Sequence, residues 1–170
     1  AETVGMAATK TRLGKAVPLG ESAAQMSRWA RDRFGASGLS LVDHSGLSDR
    51  SRITADDMVR ILIKARKSTE LYALLKDIKM RNAKGNLARS APTGFRAKTG
   101  TLNFVAGLGG YVTTASGREL AFAIFSADRT RRALIPVAQR ERPKGASSWN
   151  RRAKILQYKM LNRWCHKYRS

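Results

Sequence analysis

The sequence lacks several patterns that would settle its class at once. Its 170 residues contain one cysteine, Cys165, which cannot form an internal disulfide, so cysteine usage does not reveal the redox compartment. No run of about 18 apolar residues predicts a membrane span. The two histidines, His44 and His166, lie far apart, and no histidine and cysteine cluster has the spacing of a zinc site. We therefore expect neither a membrane span nor a bound metal.

Acidic residues are scarce as well. The chain has 12 Asp and Glu against 33 Lys and Arg, which gives a net charge of +21. Such an excess attracts polyanions, including nucleic acid, anionic lipid headgroups and acidic wall polymers. It is most pronounced in residues 129–170, where Glu141 is the only acidic residue. The stretches "RTRRALIPVAQRERPKG" and "NRRAKILQYKMLNRWCHKYR" would suit the loop and helix of a basic, non-catalytic nucleic-acid-binding module.

A second interpretation of this basic end is structural. From residue 147 on, apolar residues recur at helical spacing, which predicts a closing amphipathic helix whose cations face solvent. Cys165 is expected to be packed and His166 exposed. We favour this interpretation because no helix-turn-helix or RNA-recognition signature is present. The predicted apolar face of the helix consists of Trp149, Ala153, Leu156, Met160 and Trp164.

Helical periodicity dominates the first part of the chain. It predicts a helix over residues 21–33 that ends near Gly35, and a further short helix in "ELYALLKDI". Another helix follows Thr54, which can cap it, while Asp57 completes a capping-box pattern. One face of that helix is predicted to consist of Met58, Ile61, Leu62 and Ala65.

From residue 94 to 127 the apolar period changes to two, which is typical of strands. Phe104–Thr113 and Arg118–Ser126 are rich in β-branched and aromatic residues and are joined by "TASGRE", a hairpin connection. A third strand is predicted to run through Lys98. The order of helices, strands and a final helix predicts an α/β or α+β domain whose helices cover an antiparallel sheet.

The tripeptide Lys98-Thr99-Gly100 lies where a strand edge would present it. A lysine at a half-buried edge that faces a cleft can neutralise a substrate carboxylate and support proton transfer, and the Thr99 hydroxyl can bind the same carboxylate. Gly100 removes the Cβ that would keep a substrate backbone away from the strand. The N–H of Thr101 can then point at a developing oxyanion. The tripeptide alone is weak evidence, since it occurs by chance in many proteins.

The surrounding sequence is more specific. "GFRAKTGTLNFVAGLGGYVTTASGRELAFAIFSAD" resembles the penicillin-binding D-alanyl-D-alanine carboxypeptidases of the peptidase S13 branch, in which Lys-Thr-Gly-[Ser/Thr]-Leu precedes a Gly-Tyr-[Val/Ile]-Thr-Thr-Ala-Ser-Gly hairpin. Upstream, "DHSGLSDRSRITADDMVRIL" resembles the Asp-Gly-Ser-Gly-Leu-Ser loop of that family and the helix after it. "AETVGMAATKTRLG" resembles the helix that follows the Ser-x-Asn motif. The resemblance covers residues 1–127.

The resemblance implies a β-lactamase/penicillin-binding transpeptidase-like fold, an antiparallel sheet flanked by helices. Residues 1–170 would be the C-terminal part of that domain, with 129–170 as its basic loop and closing helix. The implied function is that of a serine-type D-alanyl-D-alanine carboxypeptidase, which hydrolyses peptidoglycan stem peptides through an acyl-enzyme outside the cytoplasm. Such an enzyme is acylated by β-lactams and needs no cofactor. Substrate would be bound by Lys98, Thr99, Gly100 and Thr101, of which Lys98 and Thr101 would be catalytic.

The nucleophile of that family is not found in this sequence. No Ser-x-x-Lys pair, in which the serine attacks and the lysine takes its proton, is present, and "AATK" has alanine in the place of the serine. We assign no Ser-x-Asn motif either, since "SSWN" does not fit it. A missing N-terminal portion explains both absences, so we expect the nucleophile to lie there and this chain alone to be inactive. A degenerate homologue is the less favoured explanation.

The loop "DHSGLS" contains the three residue types of a hydrolytic triad, at Asp43, His44 and Ser45. Side chains of neighbouring residues alternate sides on an extended chain, and triads are normally assembled from distant positions. We therefore expect no triad here. The resembling family has glycine at position 44, and we expect His44 to be a partly exposed loop imidazole.

Overall fold

The computed structural model describes residues 1–80, 93–141 and 143–168. The chain forms two compact units, Ala1–Ser68 and Thr69–Ser170. In the described ranges, no helix combines the length and the apolar composition that crossing a membrane requires.

The first unit consists of three helices, α1 (Glu2–Leu13), α2 (Leu19–Phe34) and α3 (Ala55–Ser68). Helix α2 ends as the sequence predicts, because Gly35 adopts φ 72° and its N–H donates to the Arg31 carbonyl oxygen at 2.8 Å. The apolar core of this unit comprises Ala23, Ala30, Phe34, Ala36, Leu39, Leu62 and Ala65.

The start of α3 confirms half of the predicted capping box. The Asp57 N–H donates to the Thr54 hydroxyl oxygen at 3.0 Å, a cap that contributes about 1 kcal/mol to helix stability. The Asp57 carboxylate does not reach back to the Thr54 N–H but accepts from the Thr54 hydroxyl at 2.8 Å. On the predicted apolar face, Leu62 and Ala65 are buried, whereas Met58 and Ile61 are half-buried.

The second unit is built on a four-stranded antiparallel sheet. Its strands are β1 (Lys76–Asp77), β2 (Thr93–Leu102), β3 (Val105–Thr113) and β4 (Glu119–Ala127), adjacent in that order. Its helices are α4 (Leu71–Leu74), α5 (Arg129–Ala133) and α6 (Ala146–Lys167), with a 3₁₀ turn at Val137–Gln139.

The three predicted strands are confirmed to within a few residues, and β1 was missed. The stretch predicted as a short helix, "ELYALLKDI", is helical only at Leu71–Leu74, because Lys76 and Asp77 pair with β2. Strands β2 and β3 approach closely: a Cβ on Gly110 would lie 2.2 Å from the Arg96 carbonyl oxygen. Glycine is therefore required at position 110 by packing.

Helix α6 packs against one face of the sheet, and this face carries the core of the second unit. The predicted apolar face of α6 was wrong in part, because Leu156 is 55% exposed. The buried line runs through Ala153, Gln157, Leu161 and Cys165. Gln157 is tolerated there because its side-chain amide donates to the Ala106 carbonyl oxygen at 2.9 Å. As expected, Cys165 is packed and His166 exposed.

Candidate functional site

The residues predicted to form the site lie at the outer edge of β2. The short strand β1 pairs with β2 at residues 96 and 97, and the Ile78 N–H donates to the Phe95 carbonyl oxygen at 2.8 Å. Over residues 98–102, no strand in the described part of the chain pairs with β2 on this side. The segment Lys98–Thr101 is therefore an open strand edge, as the sequence predicts.

The pairing with β1 also fixes where the backbone groups of β2 point. The N–H and C=O groups of successive residues are directed to alternate edges of a strand. Because the Phe95 carbonyl is directed to β1, the backbone groups of Thr99 and Thr101 are directed to the same outer edge. The N–H of Thr101, the predicted oxyanion donor, thus points away from β3 and out of the sheet.

Lys98 lies on this edge but is not half-buried. Its side chain is exposed, and its ammonium donates a hydrogen bond to the outward carbonyl oxygen of Thr99. The expectation of a half-buried lysine facing a cleft does not describe this chain, because β1 begins at Lys76, opposite Ala97, and does not extend alongside Lys98. The hydrogen bond to Thr99 nevertheless shows that the ammonium reaches the backbone groups of the open edge.

Thr99 and Gly100 complete the open edge, and they are on opposite faces of the sheet. Thr99 pairs with the buried Leu108, so its side chain is on the α6 face of the sheet, whereas Lys98 and Gly100 are on the opposite face. A Cβ on Gly100 would meet no atom within 4 Å, so packing within this chain does not require glycine there. The edge is thus clear of side-chain bulk next to the Thr101 N–H.

Arg96 is a second cation on the face of Lys98, and the sequence reasoning did not single it out. Its guanidinium lies 5.1 Å from the ring centroid of Tyr72 and donates to the Tyr72 carbonyl oxygen at 3.4 Å. Its Nε lies 3.4 Å from the Asp77 carboxylate. The sequence could have identified Arg96 by its position two residues before Lys98, because residues two apart in a strand have their side chains on the same face.

A groove of about 950 Å³ adjoins Thr101. It runs between the end of β2 and the first half of α6, and Thr101 is the one predicted site residue that lines it; Lys98, Thr99 and Gly100 do not. The four predicted residues are therefore contiguous on the strand edge but do not share this groove.

The stretch "SSWN" does have the literal spacing of Ser-x-Asn, at Ser148 and Asn150, and the structure shows why it does not act as that motif. Both residues lie in the first turns of α6. The Ser148 hydroxyl donates to the Gly145 carbonyl oxygen at 3.0 Å, and the Asn150 amide donates to the Leu102 carbonyl oxygen at 2.9 Å. Both side chains thus bind backbone carbonyls of the second unit.

In the first unit, Asp43 organises the loop that follows it. Its carboxylate accepts hydrogen bonds from the hydroxyls of Ser51 and Ser45 and from the Ser48 N–H. Burial alone would raise the pKa of Asp43, but these hydrogen bonds hold that pKa below its ordinary value. The Asp43 carboxylate therefore stabilises its own loop by accepting hydrogen bonds from residues of that loop.

His44 points away from that loop carboxylate, so Asp43, His44 and Ser45 form no triad. The imidazole Nε2 lies 2.8 Å from the Ser22 hydroxyl oxygen, and Nδ1 lies 3.3 Å from the Met26 sulfur. Ser22 in turn donates to the Thr9 hydroxyl at 2.7 Å and is fully buried. His44 is half-buried and ties the loop to α1 and α2.

Glu2 adds a second tie between α1 and the same loop. Its carboxylate accepts from the His44 N–H at 3.0 Å and from the Ser45 N–H at 3.1 Å. Hydrogen bonds from Ser45 and from the His44 backbone hold the pKa of Glu2 below its ordinary value.

No metal site is evident. Within residues 1–80, 93–141 and 143–168, no group of three or more histidine, cysteine or acidic side chains could hold a metal ion.

Comparison with known proteins adds the family context. The profile of the Peptidase S13 family, described as the D-Ala-D-Ala carboxypeptidase 3 (S13) family, matches residues 1–148. The chain is 37% identical over 101 residues to Carboxypeptidase DacB of Mycolicibacterium smegmatis, a match that covers 53% of this chain and 22% of that protein. The chain thus spans less than a quarter of the length of this curated relative.

Solved structures agree with the fold. The chain is similar to penicillin binding protein 4 (dacB) from Haemophilus influenzae, complexed with a novel β-lactam, with a TM-score of 0.66 and 17% identity over 95% of this chain and 38% of that one. A penicillin G-acylated predatory endopeptidase from Bdellovibrio bacteriovorus gives a TM-score of 0.52 and 15% identity over 95% of this chain and 45% of that one. At these identities the likeness shows a shared penicillin-binding-protein fold.

Proposed function

The chain belongs to the D-Ala-D-Ala carboxypeptidase 3 (S13) family, and we propose that the open edge of β2 is part of the active site of a serine-type D-alanyl-D-alanine carboxypeptidase. The observation that carries this proposal is the direction of the Thr101 N–H, which points out of the sheet next to Lys98 and Gly100. A backbone donor fixed in a sheet needs no reorganisation when negative charge develops in front of it.

In the proposed mechanism the substrate peptide lies along this edge as an additional strand. The Lys98 ammonium, which already reaches the Thr99 carbonyl, neutralises the terminal carboxylate and supports proton transfer. The Thr99 side chain is on the opposite face of the strand from Lys98, so in this proposal its hydroxyl binds the same carboxylate across the open edge, and Gly100 lets the substrate backbone approach. The Thr101 N–H stabilises the oxyanion that forms on the penultimate D-alanine carbonyl.

The attacking serine belongs to another part of the protein in this proposal. No Ser-x-x-Lys pair occurs in the 170 residues. The relatives are longer, since the chain spans 38% of the penicillin binding protein 4 chain and 22% of the DacB carboxypeptidase. The serine attacks the carbonyl, the terminal D-alanine leaves, and water hydrolyses the ester; a β-lactam acylates the same serine.

The proposed substrate places the protein outside the cytoplasm, where it would meet peptidoglycan stem peptides. The net charge of +21 is suited to contact with acidic envelope components. The comparisons give no support to the alternative of a nucleic-acid-binding module.

Labelling with a fluorescent penicillin tests the proposal. The protein at its natural length is expected to form a stable covalent adduct, whereas the 170-residue chain alone forms none. Labelling of the 170-residue chain would contradict the assignment of the nucleophile, and absence of labelling in the folded natural-length protein would contradict the proposed activity.

A further inference from the structure

The groove that begins at Thr101 has a lining that, apart from Thr101, the proposed acyl-transfer site does not use. One wall is the end of β2 with Thr101 and Asn103, and the other is α6 with Arg151, Lys154 and Tyr158. The three α6 residues follow one another at intervals of three and four, so they lie on one face of the helix. The groove has a volume of about 950 Å³, which is large enough for a ligand of several residues.

Both walls are held in place by contacts within the second unit. The Asn150 amide donates to the Leu102 carbonyl oxygen at 2.9 Å and fixes α6 to the end of β2. The Asn103 amide donates to the Arg140 carbonyl oxygen at 2.6 Å. The Tyr158 ring packs edge-on against Phe95 with its centroid 6.3 Å away. The groove is therefore formed before any ligand arrives, which lowers the ordering cost of binding.

The charges in the groove favour an anionic ligand. Among the described residues that line it, Lys79, Arg151 and Lys154 are cations and Glu141 is the one acidic residue. Ile155 and the Tyr158 ring add an apolar surface between the cations.

We propose that this groove binds a peptide segment that carries carboxylate groups. Spaced cations and an apolar strip match an acidic peptide, which combines separated negative charges with apolar atoms. The apolar surface of Ile155 and Tyr158 between the cations has no counterpart in a continuous phosphate backbone, and a flat bilayer surface would not enter a groove. The site extends beyond the proposed acyl-transfer residues, and binding there needs no nucleophile.

The test is the binding of a fluorescein-labelled pentaglutamate to the natural-length protein, measured by fluorescence anisotropy at about 0.15 M salt. Pentaglutamine of the same length controls for charge. Arg151→Gln and Lys154→Gln each remove one cation from the groove. Arg163→Gln removes one exposed cation from the same helix outside the groove and is the matched control for the net charge.

Pentaglutamate is expected to bind at least tenfold more tightly than pentaglutamine. Arg151→Gln and Lys154→Gln should each weaken its binding about fivefold, and Arg163→Gln less than twofold. Equal losses in all three variants would show that net charge alone is responsible and would overturn the proposal. Stronger binding of a short DNA duplex, or of vesicles with anionic lipid, through Arg151 and Lys154 would also overturn it. Loss of penicillin labelling bears only on the acyl-transfer proposal.

Discussion

The imidazole of His44 occupies the space that a side chain at position 5 would need. A Cβ on Gly5 would lie 2.2 Å from Cγ of His44 and 2.3 Å from its Nδ1. The ring is held there by Ser22 and Met26. Glycine in the first turn of α1 is thus explained by the loop residue that packs against it.

This contact predicts that Gly5→Ala will lower or raise the stability of the protein depending on which residue occupies position 44. Gly5→Ala should destabilise the protein by about 1–3 kcal/mol, because the His44 ring must move. In a His44→Gly background the same change should stabilise by about 1 kcal/mol, since alanine has the better helix propensity. Urea unfolding of the four proteins of this double-mutant cycle measures the coupling. Additive effects would show that the two residues do not compete for space.

The hydrogen-bonded carboxylate of Asp43 should make the stability of the folded protein depend on pH. The folded-state pKa of Asp43 is below its ordinary value, so its stabilising contribution is complete above about pH 4 and is lost as pH falls through the folded-state pKa. Asp43→Asn should be less stable at pH 7 and should lose less stability between about pH 4 and pH 2. Asp49→Asn, which changes an exposed residue of the same loop, is the control. Parallel pH profiles for wild type and Asp43→Asn would contradict the assignment.

The buried amide of α6 predicts unequal effects at two adjacent positions. Gln157→Ala should cost about 2–4 kcal/mol, because it leaves a cavity in the core and removes the buried hydrogen bond from the Gln157 amide to the Ala106 carbonyl oxygen. Leu156→Ala should cost less than about 0.5–1 kcal/mol, since that side chain is 55% exposed. Chemical denaturation of both variants checks the assignment, and a larger loss from Leu156→Ala would mean that the helix face is placed wrongly.

The contrast between these two positions also shows what the sequence could and could not specify. The predicted boundaries of α2 and of strands β3 and β4 were close, because strong periodicity and the glycine after α2 are local signals. The buried face of α6 was misplaced because periodicity counts only apolar residues. Gln157 enters the core through a hydrogen bond to the distant Ala106, which no local pattern records.

The candidate site was predictable to a similar degree. The motif placed Lys98 on a strand edge, and in the described part of the chain β1 pairs with β2 only at residues 96 and 97, so Lys98 is at an open edge. The exposure of Lys98 and the short strand β1 were not foreseen, because both depend on which distant segment pairs with β2. The packing of His44 against Gly5 is likewise a long-range contact.

Replacing Lys98 is expected to slow acylation without destabilising the protein. In the natural-length protein, Lys98→Ala should slow acylation by penicillin by about 10²-fold or more, because the cation beside the open edge is removed. Its exposure predicts a change in stability within about 0.5 kcal/mol. Lys76→Ala, at an exposed cation on β1, controls for the loss of one charge near the sheet edge. Equal rates for the two variants would remove Lys98 from the mechanism.

The most direct measurement compares the acylation rates of Thr101→Pro and Thr101→Ala in the natural-length protein. Proline removes the N–H that points out of the sheet and breaks no bond to β3, whereas alanine keeps that N–H and removes only the hydroxyl. We expect the acylation rate to fall about 10²–10³-fold for Thr101→Pro, with a thermal midpoint near that of the wild type, and to stay within a few-fold of the wild-type rate for Thr101→Ala. A folded Thr101→Pro variant that is acylated as fast as the wild type would contradict the proposed role of the Thr101 N–H.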